Sequence, residues 1–138
     1  MDVYTVKFYK KAADFIAELD ERIKEMEDSV KALGAEVEQL KAVADRYAKL
    51  QSLLRKFKPG EGGQSASLEI TGLSIYIDPT PLTKYEIYSQ SYAHMLDLLS
   101  VLKKVREVAN TVISEGGLEE APIAVQYKQG VPVKLIVL

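Results

Sequence analysis

Apolar residues recur in alternating steps of three and four from about Tyr9 to Phe57, and no other stretch of the chain restricts its fold so strongly. With Tyr9, Ile16, Ile23, Val30, Val37 and Ala44 at a, and Ala12, Leu19, Met26, Leu33, Leu40, Tyr47 and Leu54 at d, the seam is filled over six heptads. This predicts one long amphipathic helix that zips against another. β-Branched a residues with Leu-like d residues favour two parallel strands, in which Arg22 would face the partner's Glu27 and Glu36 its Lys41, each pair opposite in sign. The expected partner is a second copy of the chain, joined through Ile16, Leu19, Ile23, Met26, Val30, Leu33, Val37 and Leu40 as a dimer, or as a tetramer if two coils join. Gly34 does not interrupt the helix, because the apolar positions stay in phase across it and a helical glycine costs only ~1 kcal/mol.

Asp2 is expected to cap this helix, with Tyr4, Val6, Phe8 and Phe15 widening the apolar face of its first turns. Val43, Leu50 and Phe57 broaden the stripe at the other end, where the helix is expected to run into the core, and Pro59-Gly60-Glu61-Gly62-Gly63 ends it. The segment from Ala66 to Ile77 reads as a hairpin turning at Thr71-Gly72, with Ala66 opposite Ile77, Leu68 opposite Ile75 and Ile70 opposite Leu73. A single bulged strand would satisfy the same alternation.

Thr83-Lys84-Tyr85-Glu86 has the form of a capping box for a second helix reaching about Ser114. That helix carries two adjoining apolar stripes, Tyr88, Tyr92, Met95, Leu99, Leu102 and Ala109 on one, Leu98, Val101, Val105, Val108 and Val112 on the other. So broad a face predicts burial on two sides, by the sheet and by another helix. A three-residue Lys128-Gln129-Gly130 loop would pair Tyr127 with Val131, Val125 with Val133 and Ile123 with Leu135 in a closing hairpin. The predicted fold is α+β in the order α-ββ-α-ββ, with one four-stranded antiparallel sheet: a coiled-coil segment over 1–58 and a small domain over 59–138 that folds with the end of the helix.

The chain contains no cysteine, which excludes a disulfide framework and thiolate metal sites and suits a reducing compartment. No basic segment leads into an apolar one at the start, and no apolar run approaches ~20 residues, so a soluble cytoplasmic protein is expected. Lysine far outnumbers arginine and asparagine is scarce, a bias of hyperthermophile proteins that predicts a thermophilic source.

Catalytic signatures are missing. His94 is the single histidine, sits mid-helix with Asp97 as its local partner, and fits a packing or surface role better than a catalytic one. Asp14, Glu18, Glu21, Glu25 and Asp28 could be imagined as oxygen ligands for a metal, but in the heptad frame they fall on the outward face and read as a solvated surface. Gly60-Glu61-Gly62-Gly63 lacks the Gly-Lys-Ser/Thr ending of a phosphate loop. The expectation is a binding protein without enzymatic activity, cofactor or metal.

The net charge of −2 conceals a division along the chain. Residues 1–40 carry 6 basic and 10 acidic groups, whereas in 41–60 Lys41, Arg46, Lys49, Arg55, Lys56 and Lys58 stand against Asp45 alone. Single-stranded nucleic acid is held by cations on its phosphates and aromatic faces under its bases, a combination that needs no fixed motif. With eight tyrosines in the chain, the candidate contacts are Arg46, Lys49, Arg55, Lys56 and Lys58 near the helix end, with Tyr76, Lys128 and Lys134 on the hairpins. The competing reading makes Tyr85, Tyr88, Tyr92 and Tyr127 core residues and the lysines mere solubilisers of a helix end.

A coiled-coil helix joined to a four-stranded antiparallel sheet with helices across it, in a small cysteine-free chain of this composition, resembles the archaeal ThermoDBP-related single-stranded DNA-binding proteins. The resemblance lies in architecture and not in a motif. It implies a homo-oligomer built through long helices, with a basic and aromatic cleft enclosing single-stranded DNA without strong sequence preference. The acidic first half of the helix departs from that picture and would have to face away from the strand. The alternative is a prefoldin-like chaperone or coiled-coil scaffold, since a long helix, a hairpin and a second helix also resemble a prefoldin subunit, although the second helix is shorter and the chain ends in strands.

Overall fold

The computed structural model describes residues 2–57, 66–77 and 79–138. Its elements are strand β1 (Tyr4–Tyr9), helix α1 (Ala12–Phe57), strands β2 (Ala66–Ile70) and β3 (Leu73–Ile77), helix α2 (Pro81–Glu115), and strands β4 (Ile123–Lys128) and β5 (Val131–Val137). The α+β class and the two long helices agree with the sequence. The order does not: a strand precedes α1, and the strands form a three-stranded sheet β1-β4-β5 and a separate pair β2-β3 in place of one four-stranded sheet. The reason lies in Tyr4-Thr5-Val6-Lys7-Phe8-Tyr9, whose β-branched and aromatic residues alternate with a period of two and supply the third strand. Two compact units result, Met1–Ser29 with Met95–Leu138 (unit 1) and Val30–His94 (unit 2), and both helices contribute to each.

In unit 1, β1 pairs antiparallel with β4 from Tyr4↔Lys128 to Tyr9↔Ile123. Tyr9, Ile123 and Val125 on one side of the sheet are buried, together with Ala12, Phe15, Ile16, Leu19 and Ile23 of α1 and Leu99, Leu102 and Ile113 of α2. Phe15, Leu102, Ile123 and Val125 are the largest fully enclosed side chains, each worth about 1.5–3 kcal/mol of burial. Phe15 meets the Tyr9 ring edge-on at 5.4 Å. α2 runs antiparallel to α1, since Asp20 pairs with Arg106 at 2.7 Å and Glu27 with Lys103 at 3.9 Å.

The first amides of α1 are satisfied by backbone and not by the Asp2 side chain. Ala12 N–H donates to the Ala121 carbonyl (2.9 Å) and Ala13 N–H to that of Glu119 (3.0 Å). α2 ends in a Schellman closure, with Leu118 N–H donating to Ile113 and Gly117 N–H to Ser114, and Gly117 taking the left-handed conformation at φ 63°.

The β4–β5 turn is shorter than the sequence suggests. Gln129 and Gly130 both have positive φ, 51° and 80°, so the loop has two residues and Lys128 pairs with Val131. A bulge after Tyr127↔Pro132 then moves Val125 opposite Leu135 and Ile123 opposite Val137, two residues along from the expected register and on the same face. Arg22 donates to the Gly130 carbonyl, which fastens this turn to α1.

Unit 2 contains the later part of α1, the β2–β3 hairpin and the first turns of α2. The hairpin has the expected register and turns at Thr71-Gly72, both at positive φ. α2 begins earlier than its capping-box pattern implies: Thr80 Oγ1 accepts from the Thr83 amide at 3.2 Å, and Pro81 occupies the first helical position. Gly34 has a structural role inside α1, because a Cβ there would lie 3.0 Å from Cε2 of Tyr92, so the missing side chain admits that ring.

Candidate nucleic-acid interface

The candidate contacts fall into both units. Arg46, Lys49, Arg55 and Lys56, all exposed on α1, and Tyr76, 43% exposed on β3, belong to unit 2. Lys128 and Lys134 belong to unit 1, and Lys58 lies outside the described residues. Tyr76 and Lys134, which the sequence places on one sheet, stand on separate sheets.

At 3.6 residues per turn, Arg46, Lys49 and Lys56 lie within roughly 80° of one another around α1, and Arg55 lies on the opposite side. None of the four pairs with a carboxylate among the described residues, where every ion pair belongs to unit 1. Val43, Leu50, Leu53 and Leu54 are exposed beside these cations, and the apolar side of the hairpin, Leu68, Ile70, Leu73, Ile75 and Ile77, is exposed too. Tyr76 projects from the other side of the hairpin with Ser74 and Glu69, because side chains alternate along a strand.

Lys84 stands outside the set of cations that the charge pattern picks out. Its ammonium lies 5.6 Å from the centre of the Tyr88 ring in the first turns of α2, a contact that the i, i+4 spacing could have revealed. Tyr47, Tyr85, Tyr88 and Tyr92 are half-buried, which leaves each an accessible portion of ring or hydroxyl.

Of the unit 1 candidates, Lys128 is engaged and Lys134 is exposed. Lys128 lies 3.5 Å from Asp2 and 5.9 Å from the Tyr4 ring, while Lys134 is exposed across from Gln126. Lys7 and Glu18 of unit 1 belong to a structural network. Lys7 and the Tyr9 hydroxyl both bind Glu18, and the Tyr9 hydroxyl also binds that of Tyr127. Burial pushes the pKa of Tyr9 well above the ordinary tyrosine range, with the Tyr127 hydrogen bond and the Glu18 charge adding to it, and burial raises Tyr127 as well. Both hydroxyls are held in the neutral form. Glu18, read as a solvated outward residue, is therefore part of the tie between β1 and α1.

The expected interface residues are largely spent within one chain. Ile16, Leu19, Ile23 and Val30 are buried and Met26, Leu33, Val37 and Leu40 half-buried, while Arg22 and Glu27 have partners of their own. His94 is exposed, and the described residues contain no group of three or more His, Cys, Asp or Glu side chains that could hold a metal. Among the described residues, no helix is long and apolar enough to cross a membrane. No family model, curated protein or solved structure matches the chain.

Proposed function

We propose that this chain is a non-enzymatic, oligomeric binding protein for single-stranded nucleic acid, with unit 2 as its contact surface. The carrying observation is the cluster Arg46, Lys49 and Lys56 on one side of α1, exposed and without acid partners among the described residues, in a unit that also holds Tyr76, Tyr85 and Tyr88. Exposed cations and partly accessible rings within one unit suit a strand whose phosphates and bases are both available, and they favour no sequence. Absence of cysteine and the lysine-rich composition support a cytoplasmic protein of a thermophilic source.

A prefoldin-like chaperone is the second reading. It is favoured by two helices joined through a hairpin whose apolar side is exposed, since such a surface would grip apolar segments of other proteins. Fluorescence anisotropy separates the two. The first reading expects a labelled oligo-dT to bind at ~50 mM salt and release as salt rises, whereas absence of binding at that salt transfers the function to the chaperone surface.

A further inference from the structure

Unit 1 has an open groove of about 490 Å³ between α2 and β5. Val105, Val108 and Val112 form its helical wall, Val133, Leu135 and Val137 its strand wall, and Lys104 and Lys134 are the charged groups that line it. Val108, Val112, Val133 and Val137 are 59%, 53%, 47% and 46% exposed. A continuous apolar face of this kind marks a contact surface.

What fits it follows from the strand. β5 is an edge of its sheet. Leu138 N–H donates to the Pro122 carbonyl, and in the register Ala124↔Ile136 and Gln126↔Lys134 this turns the amides and carbonyls of Lys134, Ile136 and Leu138 toward β4. Leu135 and Val137 direct theirs away from the sheet. The open edge needs a strand and the valine wall needs an apolar helix, the same two elements from which the groove is built.

We propose that a second copy of this chain covers the groove in a two-fold dimer, with β5 paired antiparallel to its counterpart and the Val101, Val108 and Val112 stripe of α2 packed against the same stripe. A two-fold axis at Leu135 sets that residue opposite itself, so that the outward-directed amide and carbonyl of one Leu135 meet those of the other and the sheet continues across both copies, with Val137 opposite Val133 at the bulge. Lys134 then faces Ile136 and not a second lysine, so no like charges oppose. Complete burial of the exposed parts of Val101, Val108, Val112, Val133, Val137 and Leu138 would remove roughly 500 Å² per copy, about 1,000 Å² for the dimer, the least that a specific interface should clear. β5 carries a single charge, Lys134, and its Pro132 and bulge lie toward the turn, which leaves Leu135 to Val137 without a blocking residue. The contact is independent of what unit 2 binds.

Sedimentation equilibrium of the full chain at micromolar concentration, joined to amide hydrogen exchange, tests it. The wild-type chain is expected at twice the 15.4 kDa of one copy, with slow exchange at Leu135 and Val137. Val108→Glu and Val112→Glu change side chains already exposed in one copy. Each should reduce the mass to that of one chain and speed both amides at least about ten-fold, with helix content retained. Phe8→Glu, on the other face of the sheet, should leave the mass unchanged. A wild-type chain sedimenting at 15.4 kDa, or an oligomer whose mass and amide protection survive Val108→Glu, overturns the proposal.

Discussion

The number of cations on one side of α1 sets how strongly salt should weaken nucleic-acid binding. Arg46, Lys49 and Lys56 share a side, and three phosphate contacts on a single strand give a slope of about −2.1 in log K against log salt, at about −0.7 per phosphate. Raising salt from about 50 to about 200 mM should then weaken binding about 18-fold. Arg46→Gln with Lys49→Gln leaves one contact, a slope of about −0.7 and a loss of about 2.6-fold over the same range. Arg55→Gln should keep the parent slope, because Arg55 projects from the opposite side of the helix. Anisotropy of a labelled oligo-dT across a salt series reads all three slopes, and circular dichroism confirms that the exposed substitutions leave α1 intact. A double variant with the parent slope, or tight parent binding indifferent to salt, would refute phosphate contact through this face.

Three further outcomes test the fold. Phe15→Ala removes a fully buried ring that meets Tyr9 edge-on and should cost about 3–5 kcal/mol, read from urea unfolding midpoints. Gly117→Ala forces a side chain into the left-handed closure of α2 at φ 63° and should cost about 1–2 kcal/mol in thermal unfolding. Tyr9 has a folded pKa raised above its ordinary 10.0, so its contribution is whole below pH 10 and is lost as pH climbs toward the folded value. Stability should fall above pH 10, and Tyr9→Phe should flatten the fall, by at most about 1.4 kcal/mol at pH 11 and by less in so far as solvent screens the hydroxyl. Parallel loss of stability in parent and variant between pH 8 and pH 11 would show that the hydroxyl is not held neutral.

Local signals in the sequence were legible where one short-range rule decides the geometry. Thr71-Gly72 turns where the change of alternation places it, and the single helix through Gly34 follows from unbroken phase. The first strand is hard to see in the sequence because Tyr4, Val6 and Phe8 stand next to a strong helical pattern and read as extra width on its face. Their spacing of two belongs to a strand, and the partner that stabilises it, β4, lies more than a hundred residues away. The β4–β5 register failed for a smaller reason. Gln129 at positive φ gives a two-residue turn, and the bulge absorbs the difference further along the strand. Of the candidate contacts, Arg46, Lys49 and Lys56 have no acid partner among the described residues, whereas the expected geometry fails because the two hairpins form separate sheets.

A heptad stripe states that a helix must be covered by apolar side chains, and is silent about whose they are. In unit 1 the covering comes from the same chain: α2 lies antiparallel with Leu99 and Leu102 buried, Asp20 holds Arg106, and Glu27 holds Lys103 in place of an arginine of another copy. That use of one α2 stripe leaves Val101, Val108 and Val112 of the other exposed beside an unpaired strand edge. The need for a partner, which the sequence assigns to α1, is therefore displaced to α2 and β5. Charge reversal along the outer face of α1 should leave assembly intact, whereas one carboxylate at Val108 should abolish it, because an ion set into an apolar contact loses hydration that the second copy does not replace.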